Sequence, residues 1–195
     1  ANRTDGWSPI QGAFWREGGI APNLDLADVL ERFTDEATQV ITQHAARQAN
    51  KTAEQNAKQP LMMYLAYPAP HTPWLPSAEF VGKSGAGMYG DFVMMVDAQI
   101  GRISQSLRDA GMEENTLLIV TSDNGPVWYD EDRTRFQHDA AGGWRGMKAD
   151  AWEAGHRMPM IAKWPGRVAR GSRSKQLVCF TDFLATFADI FEVTL

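Results

Sequence analysis

Three short apolar runs and three helix-period stretches organise the hydrophobic positions in this chain. Leu117-Leu118-Ile119-Val120 has no polar residue to turn toward water, which predicts a strand covered on both faces, as in a parallel sheet. Leu61-Met62-Met63-Tyr64-Leu65-Ala66-Tyr67 is a second buried-strand candidate, and Met158 to Trp164 reads as a third strand with Pro159 near its start. Between the first two strands in chain order, Tyr89, Phe92, Val93, Val96, Ile100, Ile103, Leu107 and Ala110 recur at steps of three and four apart from the adjacent Phe92 and Val93. They predict an amphipathic helix stopped by Gly111. An earlier helix is expected over about 35 to 57, with Thr34 as its cap, acids in its first turn, and Ala37, Val40, Ile41, His44 and Ala45 on its apolar face. Phe183, Leu184, Phe187 and Ile190 mark a last helix, capped at Thr181 or Asp182. Residues 1–24 and 126–143 lack a period and are expected to be irregular.

A strand, a long helix and a strand in succession make a crossover unit, which is right-handed and places its two strands parallel. The expected class is therefore α/β, built on part of a doubly wound, mostly parallel sheet with flanking helices. If strands 61–67 and 117–120 are neighbours, His71 and Asp123 leave the sheet at the same edge, where ligands of open α/β sheets bind.

The bulk numbers alter this picture little. With 195 residues, 44% of them hydrophobic and 22% charged, the chain has enough apolar material for one globular core. A net charge of -5 without a Lys/Arg stripe argues against nucleic acid, and no run is long enough to span a membrane. The one cysteine, Cys179, lies in the apolar run Leu177-Val178-Cys179-Phe180 and is expected to be a buried structural thiol. Asn2-Arg3-Thr4 and Asn50-Lys51-Thr52 match the glycosylation triplet, a pattern that chance also produces. The opening without Met and the ending directly after a predicted helix suggest an excerpt of a longer protein.

Candidate chemistry gathers at element ends. Asp123-Asn124-Gly125 follows the most apolar run, and its carboxylate and amide oxygen are hard ligands suited to Ca²⁺ or Mg²⁺. The same residues are also the composition of a tight turn. His71 sits on a loop with four prolines after strand 61–67, either as a surface histidine or as a group held stiffly at the strand's carboxyl end. Lys148, in Gly142-Gly143-Trp144-Arg145-Gly146-Met147-Lys148, is an anion contact or a solvated lysine. Asp130, Asp132 and Asp139 do not have EF-hand spacing and read as solvated acids, and His44 reads as a helix-face residue.

Four blocks in order carry a resemblance: Met63 to Tyr67 leading to His71 and Pro73; Tyr89-Gly90 to Asp97; Thr121-Ser122-Asp123-Asn124-Gly125; and Trp144 to Lys148 with Glu153-Ala154-Gly155-His156-Arg157-Met158-Pro159. Trp164-Pro165-Gly166 and Thr181-Asp182 fit as well. Over roughly residues 60 to 190 the chain resembles the sulfatase family of the alkaline-phosphatase-like superfamily, and is similar to bacterial arylsulfatases.

The resemblance implies that Asp123 and Asn124 bind Ca²⁺ or Mg²⁺, that His71 and Lys148 are catalytic contacts to the sulfate group and its leaving oxygen, and that His156 and Arg157 face the substrate. His138 and Arg145 are further candidates for the substrate side, with the ordering of a loop as the alternative for each. It also implies a sulfate ester substrate and a periplasmic or extracellular setting. Sulfatases use a formylglycine made from Cys/Ser-x-Pro-x-Arg, and that motif, the paired aspartates near it and an earlier Lys and His are absent from this sequence. Residues 1–195 are therefore expected to be a partial catalytic domain, with an irregular segment and surface helix over 1–60 and a strand-helix-strand core carrying the metal and sulfate loops over 61–195. The chain alone is expected to be inactive and to need the remainder of its own polypeptide. A phosphoester or phosphonate-ester hydrolase of the same superfamily and a non-catalytic sulfatase-derived binding module are the alternatives.

Overall fold

The computed structural model describes residues 21–50 and 59–194. Its centre is a helix pair. A 3-10 turn, Leu26–Asp28, opens when Asp25 accepts the Ala27 amide at 3.0 Å, and α1 follows over Val29–Ala49. Leu30, Thr34, Ala37 and Ile41 form its buried stripe, at helical steps of four, three and four. The helix thus begins ahead of the expected Thr34 cap. Thr34 lies inside it, fully buried, because its hydroxyl is satisfied by Leu30 O at 3.1 Å and the Tyr67 hydroxyl at 2.7 Å. The expected extension to residue 57 and both glycosylation triplets fall wholly or partly outside the described residues, and α1 itself ends at Ala49.

The second helix, α2, spans Gly87–Asp109 as the periodicity predicts, and Gly111 follows it with φ +66. Ala37 and Ile41 of α1 meet Ile103 and Leu107 of α2 in one buried cluster, while Leu30 meets Phe92 and Met95 in another. Leu61, Met63 and Leu65 pack on the first cluster, and Tyr67, Ala69 and Trp74 on the second. The segment 61–67 therefore runs along the helix pair, alternate side chains inward, with Met62 and Tyr64 exposed between them.

That arrangement corrects the expected sheet. Among the described residues 61–67 joins no ladder, because no described segment lies edge to edge with it to exchange hydrogen bonds. The ladder that does form is antiparallel and two-stranded: β1, Leu118–Thr121, pairs with β2, Met160–Lys163, in the register Leu118↔Lys163 to Thr121↔Met160. Both strands fall where the apolar runs predict. Neither is covered on both faces, however, since β1 is half-buried and β2 exposed. Glu113 tethers the sheet to α2 by accepting from Lys163 and from Arg108, and these cations hold its carboxyl below the usual range.

Two further expectations change. The segment 126–143 contains a short helix, α3, Asp130–Phe136, so Asp130, Glu131 and Asp132 are acids of a first helical turn. The Cys179 thiol is exposed, because the run around it has no described element packed over it; Leu177 is 99% exposed. A one-turn helix α4, Glu153–His156, precedes β2, and α5, Thr181–Ile190, follows Cys179. Phe180 is the cap residue of α5, while Asp182, within the first turn, accepts the Cys179 amide at 2.8 Å.

Candidate active site

β1 stops at Thr121 and delivers Ser122-Asp123-Asn124-Gly125 to its carboxyl end. A tight Asn-Gly hairpin is not what these residues make, since the strand that pairs with β1 begins only at Met160. Ser122 Oγ donates to Asn124 O at 3.2 Å and reaches Asp123 Oδ1 only at 3.5 Å. The Asn124 amide nitrogen donates to Gly125 O at 2.9 Å, which fixes the amide's orientation and keeps Oδ1 as its acceptor. An exposed carboxylate and an oriented amide oxygen, adjacent in the chain, fit a hard divalent cation as part of a sphere of about six or more oxygens. Among the described residues no three His, Cys, Asp or Glu side chains gather as a metal cluster, and two oxygens alone are fewer than such a sphere needs.

Lys148 and the α4 segment are brought to this turn by main-chain bonds. Gly125 N donates to Gly155 O at 2.9 Å, and Lys148 N donates to Pro126 O at 2.8 Å. The close approach requires glycine: a Cβ on Gly125 would lie 1.7 Å from Ala154 O, and one on Gly155 would lie 2.3 Å from Asp150 O. The Lys148 turn is closed by Asp150, whose carboxylate accepts Met147 N at 3.0 Å and whose amide donates to Met147 O at 3.0 Å. Gly146 enters that turn at φ +87. Four of the six expected site residues, Asp123, Asn124, Lys148 and His156, therefore lie on segments stitched to one another. The fifth, Arg157, shares the α4 segment, with its guanidinium paired to Glu153 and 4.2 Å from the Trp144 ring.

His71 is held separately. Its Nδ1 lies 2.8 Å from Thr72 O, and because a carbonyl only accepts, Nδ1 carries the proton and Nε2 is the nitrogen that exchanges one. No hydrogen bond among the described residues joins His71 to Asp123, Asn124 or Lys148. Instead, an aromatic row connects the two loops: Trp74 packs against Tyr89 at 5.5 Å, and Tyr89 against Trp128 at 5.3 Å. Trp128 is buried and donates to His138 O at 2.8 Å, which ties down the loop after Gly125. Burial raises the pKa of the Tyr89 hydroxyl, so the row stays neutral.

Three side chains that shape this region are not evident from the sequence reading. Asp91, buried in α2, accepts Gly82 N at 2.8 Å, Ser84 N at 2.9 Å and Ser84 Oγ at 2.7 Å, and so caps the loop leading into the helix. An acid on the inner face of an apolar period, just after a Gly/Ser stretch, is the signal that marks it. Asp139 is half-buried rather than solvated and accepts Ala141 N at 3.0 Å and Gly143 N at 2.8 Å. Asp150 has only its proximity to Lys148 to announce it.

Residues 4–193 match the family model described as Sulfatase. An N-acetylgalactosamine-6-O-sulfatase from Bacteroides thetaiotaomicron is 32% identical over 179 residues, covering 89% of this chain and 32% of that protein. The N-acetylgalactosamine-6-sulfatase of Mus musculus is 33% identical over 180 residues, covering 92% of this chain and 32% of the relative. A solved structure from work on the metabolism of multiple glycosaminoglycans by Bacteroides thetaiotaomicron aligns with a TM-score of 0.75 at 32% identity, over 88% of this chain and 34% of that one. The chain spans about a third of the length of these relatives.

Proposed function

The chain belongs to the sulfatase family, and from that premise we propose that it is part of the catalytic domain of a sulfuric ester hydrolase acting on sulfate monoesters. The observation that carries this reading is the pair of main-chain bonds, Gly125 to Gly155 and Lys148 to Pro126, that bring the Lys148 segment onto the turn bearing two hard oxygen donors. A sulfate monoester is an anion, and cleavage of its S–O bond moves negative charge onto the departing oxygen. Lys148 offsets that charge, and a proton on His71 Nε2 neutralises the leaving oxygen as it forms. Asp123 and Asn124 would hold Ca²⁺ or Mg²⁺, which would supply Lewis-acid stabilisation of the sulfate's negative charge. His156 borders the substrate in this reading, whereas the Arg157 guanidinium, engaged by Glu153 and Trp144, holds the loop. The formylglycine of the family has no precursor motif in this sequence, so the remainder of the parent polypeptide would furnish it.

The doubly wound parallel sheet likewise belongs to the intact parent in this reading, with β1 one of its strands. Residues 1–195 form a partial domain that does not turn over alone, in a parent placed in the periplasm or outside the cell. Sulfated N-acetylgalactosamine is the first substrate to try, because both relatives above are named for it. The test is calcium-dependent sulfate release by the intact parent from 4-nitrophenyl sulfate and N-acetylgalactosamine 6-sulfate, with and without Asp123→Ala. Loss of calcium dependence and turnover in the variant is expected; retention of both calcium affinity and rate would overturn the assignment.

A further inference from the structure

We propose that two nested guanidinium–indole stacks, Arg145 on Trp152 and Arg157 on Trp144, form a buckle whose task is to position Lys148; the inference rests on the sulfatase reading above. The Arg145 guanidinium carbon lies 3.5 Å from the Trp152 ring centre, and that of Arg157 lies 4.2 Å from the Trp144 ring centre. The pairs are nested: consecutive residues on one arm of the loop, 144 and 145, meet residues 157 and 152 on the other, as two rungs between antiparallel arms. Ala154 N donates to Arg145 O at 3.0 Å between them, and Glu153 pairs with Arg157. Trp144 is 46% exposed and Trp152 is 49% exposed, so neither indole is secured by burial in a core. What each ring contacts on its open side is a guanidinium, whose planar face suits that role as an ammonium does not.

The buckle has something to hold. Lys148 lies in the turn between the two arms, and the arms reach the Asp123-Asn124 turn at two points, Lys148 N to Pro126 O and Gly155 O from Gly125 N. Opening the arms, or sliding one past the other by a residue, breaks at least one of those bonds and moves the Lys148 segment off the Asp123-Asn124 turn. A single clip would resist opening only. Two clips at successive rungs also fix the register of the arms and so resist sliding, and a displacement of about 1 Å at a catalytic group is enough to cost on the order of 100-fold in rate. Arg145 and Arg157 are thus positioning residues that act through Lys148.

A double-mutant cycle in the intact parent tests this. Arg145→Gln and Trp152→Leu are each expected to lower kcat by about tenfold or more with KM changed by less than about threefold, when Lys148 is present. In the Lys148→Ala background the same substitutions are expected to lower kcat by no more than about twofold, since no lysine remains to misplace. Trp152→Phe, which keeps a ring face, restores most of the rate, and Arg145→Lys does not. Equal losses in both backgrounds, or unchanged kcat in Arg145→Gln and Trp152→Leu, overturn the buckle and leave the sulfatase reading intact. Should a loss of melting temperature accompany Trp152→Leu, the Trp152→Phe and Arg157→Lys pair carries the comparison in the folded protein. A parent that does not hydrolyse sulfate esters, or whose rate is indifferent to Lys148→Ala, overturns the active-site reading and the buckle with it.

Discussion

Gly125 donates its amide to Gly155 O at 2.9 Å, and a methyl group in place of its hydrogen would lie 1.7 Å from Ala154 O. The atom in the way is main chain and cannot rotate aside. Gly125→Ala is therefore expected to push the α4 segment off the Asp123-Asn124 turn, at a cost of about 3 kcal/mol or more as a small-to-large change without room. Thermal unfolding of the intact parent reads the stability loss, and sulfate release reads the displacement of Lys148. A variant that melts and turns over like the parent would show that the two segments are not locked.

Asp91 gives the fold an acid-sensitive joint. Burial disfavours its charge, but the donors Ser84 N, Gly82 N and Ser84 Oγ outweigh burial and hold the carboxyl below the 3.8 ordinary for Asp. The unfolded chain then takes up the proton more readily than the folded one. The stabilisation is fully present above about pH 4 and disappears as pH falls through the folded-state value. Asp91→Asn should cost about 2 kcal/mol at neutral pH, since its amide presents hydrogens to groups that are themselves donors. Melting curves of parent and variant from pH 7 downward should converge in acid; a gap that stays constant would remove Asp91 from the account.

What the sequence discloses, and what it conceals, divides along the range of the interactions. The α2 stripe and the apolar runs at β1 and β2 are set by local periodicity, and each element lies where its pattern predicts. Thr34 reads as a cap because a hydroxyl before two acids is the local signature of one. Its actual partner, Tyr67, is 33 residues away and invisible to any window. The strand pairing is concealed for a related reason: apolar runs at 61–67 and 117–120 are equally eligible neighbours, and only the helix pair that takes up one side of 61–67 decides between them. The place of Asp123 and Asn124 at a strand's end is legible from the apolar run before them, whereas the Arg–Trp stacks and the link from Trp74 through Tyr89 to Trp128 are tertiary facts with no local trace.

The Thr34–Tyr67 bond joins α1 to the segment that carries the His71 loop. Thr34 is 0% exposed and its hydroxyl lies 2.7 Å from that of Tyr67. Thr34→Val preserves shape, leaves one hydroxyl without its partner, and should cost about 1–2 kcal/mol. Thr34→Val combined with Tyr67→Phe removes both partners and is expected to recover part of the loss. Urea unfolding of the four proteins in this cycle measures the coupling; strict additivity would mean that the bond contributes nothing.

His71 provides the sharpest test of the chemistry. With Nδ1 committed to Thr72 O at 2.8 Å, its Nε2 is the nitrogen able to hand a proton to the departing oxygen. A proton donor matters most when the leaving group is a strong base and least when it departs readily as an anion. Across a series of aryl and alkyl sulfates, His71→Ala in the intact parent should cost on the order of 100-fold or more with alkyl esters, and far less with the most acidic phenols. The rate should accordingly become steeper in leaving-group basicity. If the loss is the same for every ester, His71 contributes binding or loop order rather than proton transfer, and its Nε2 has another partner in the intact protein.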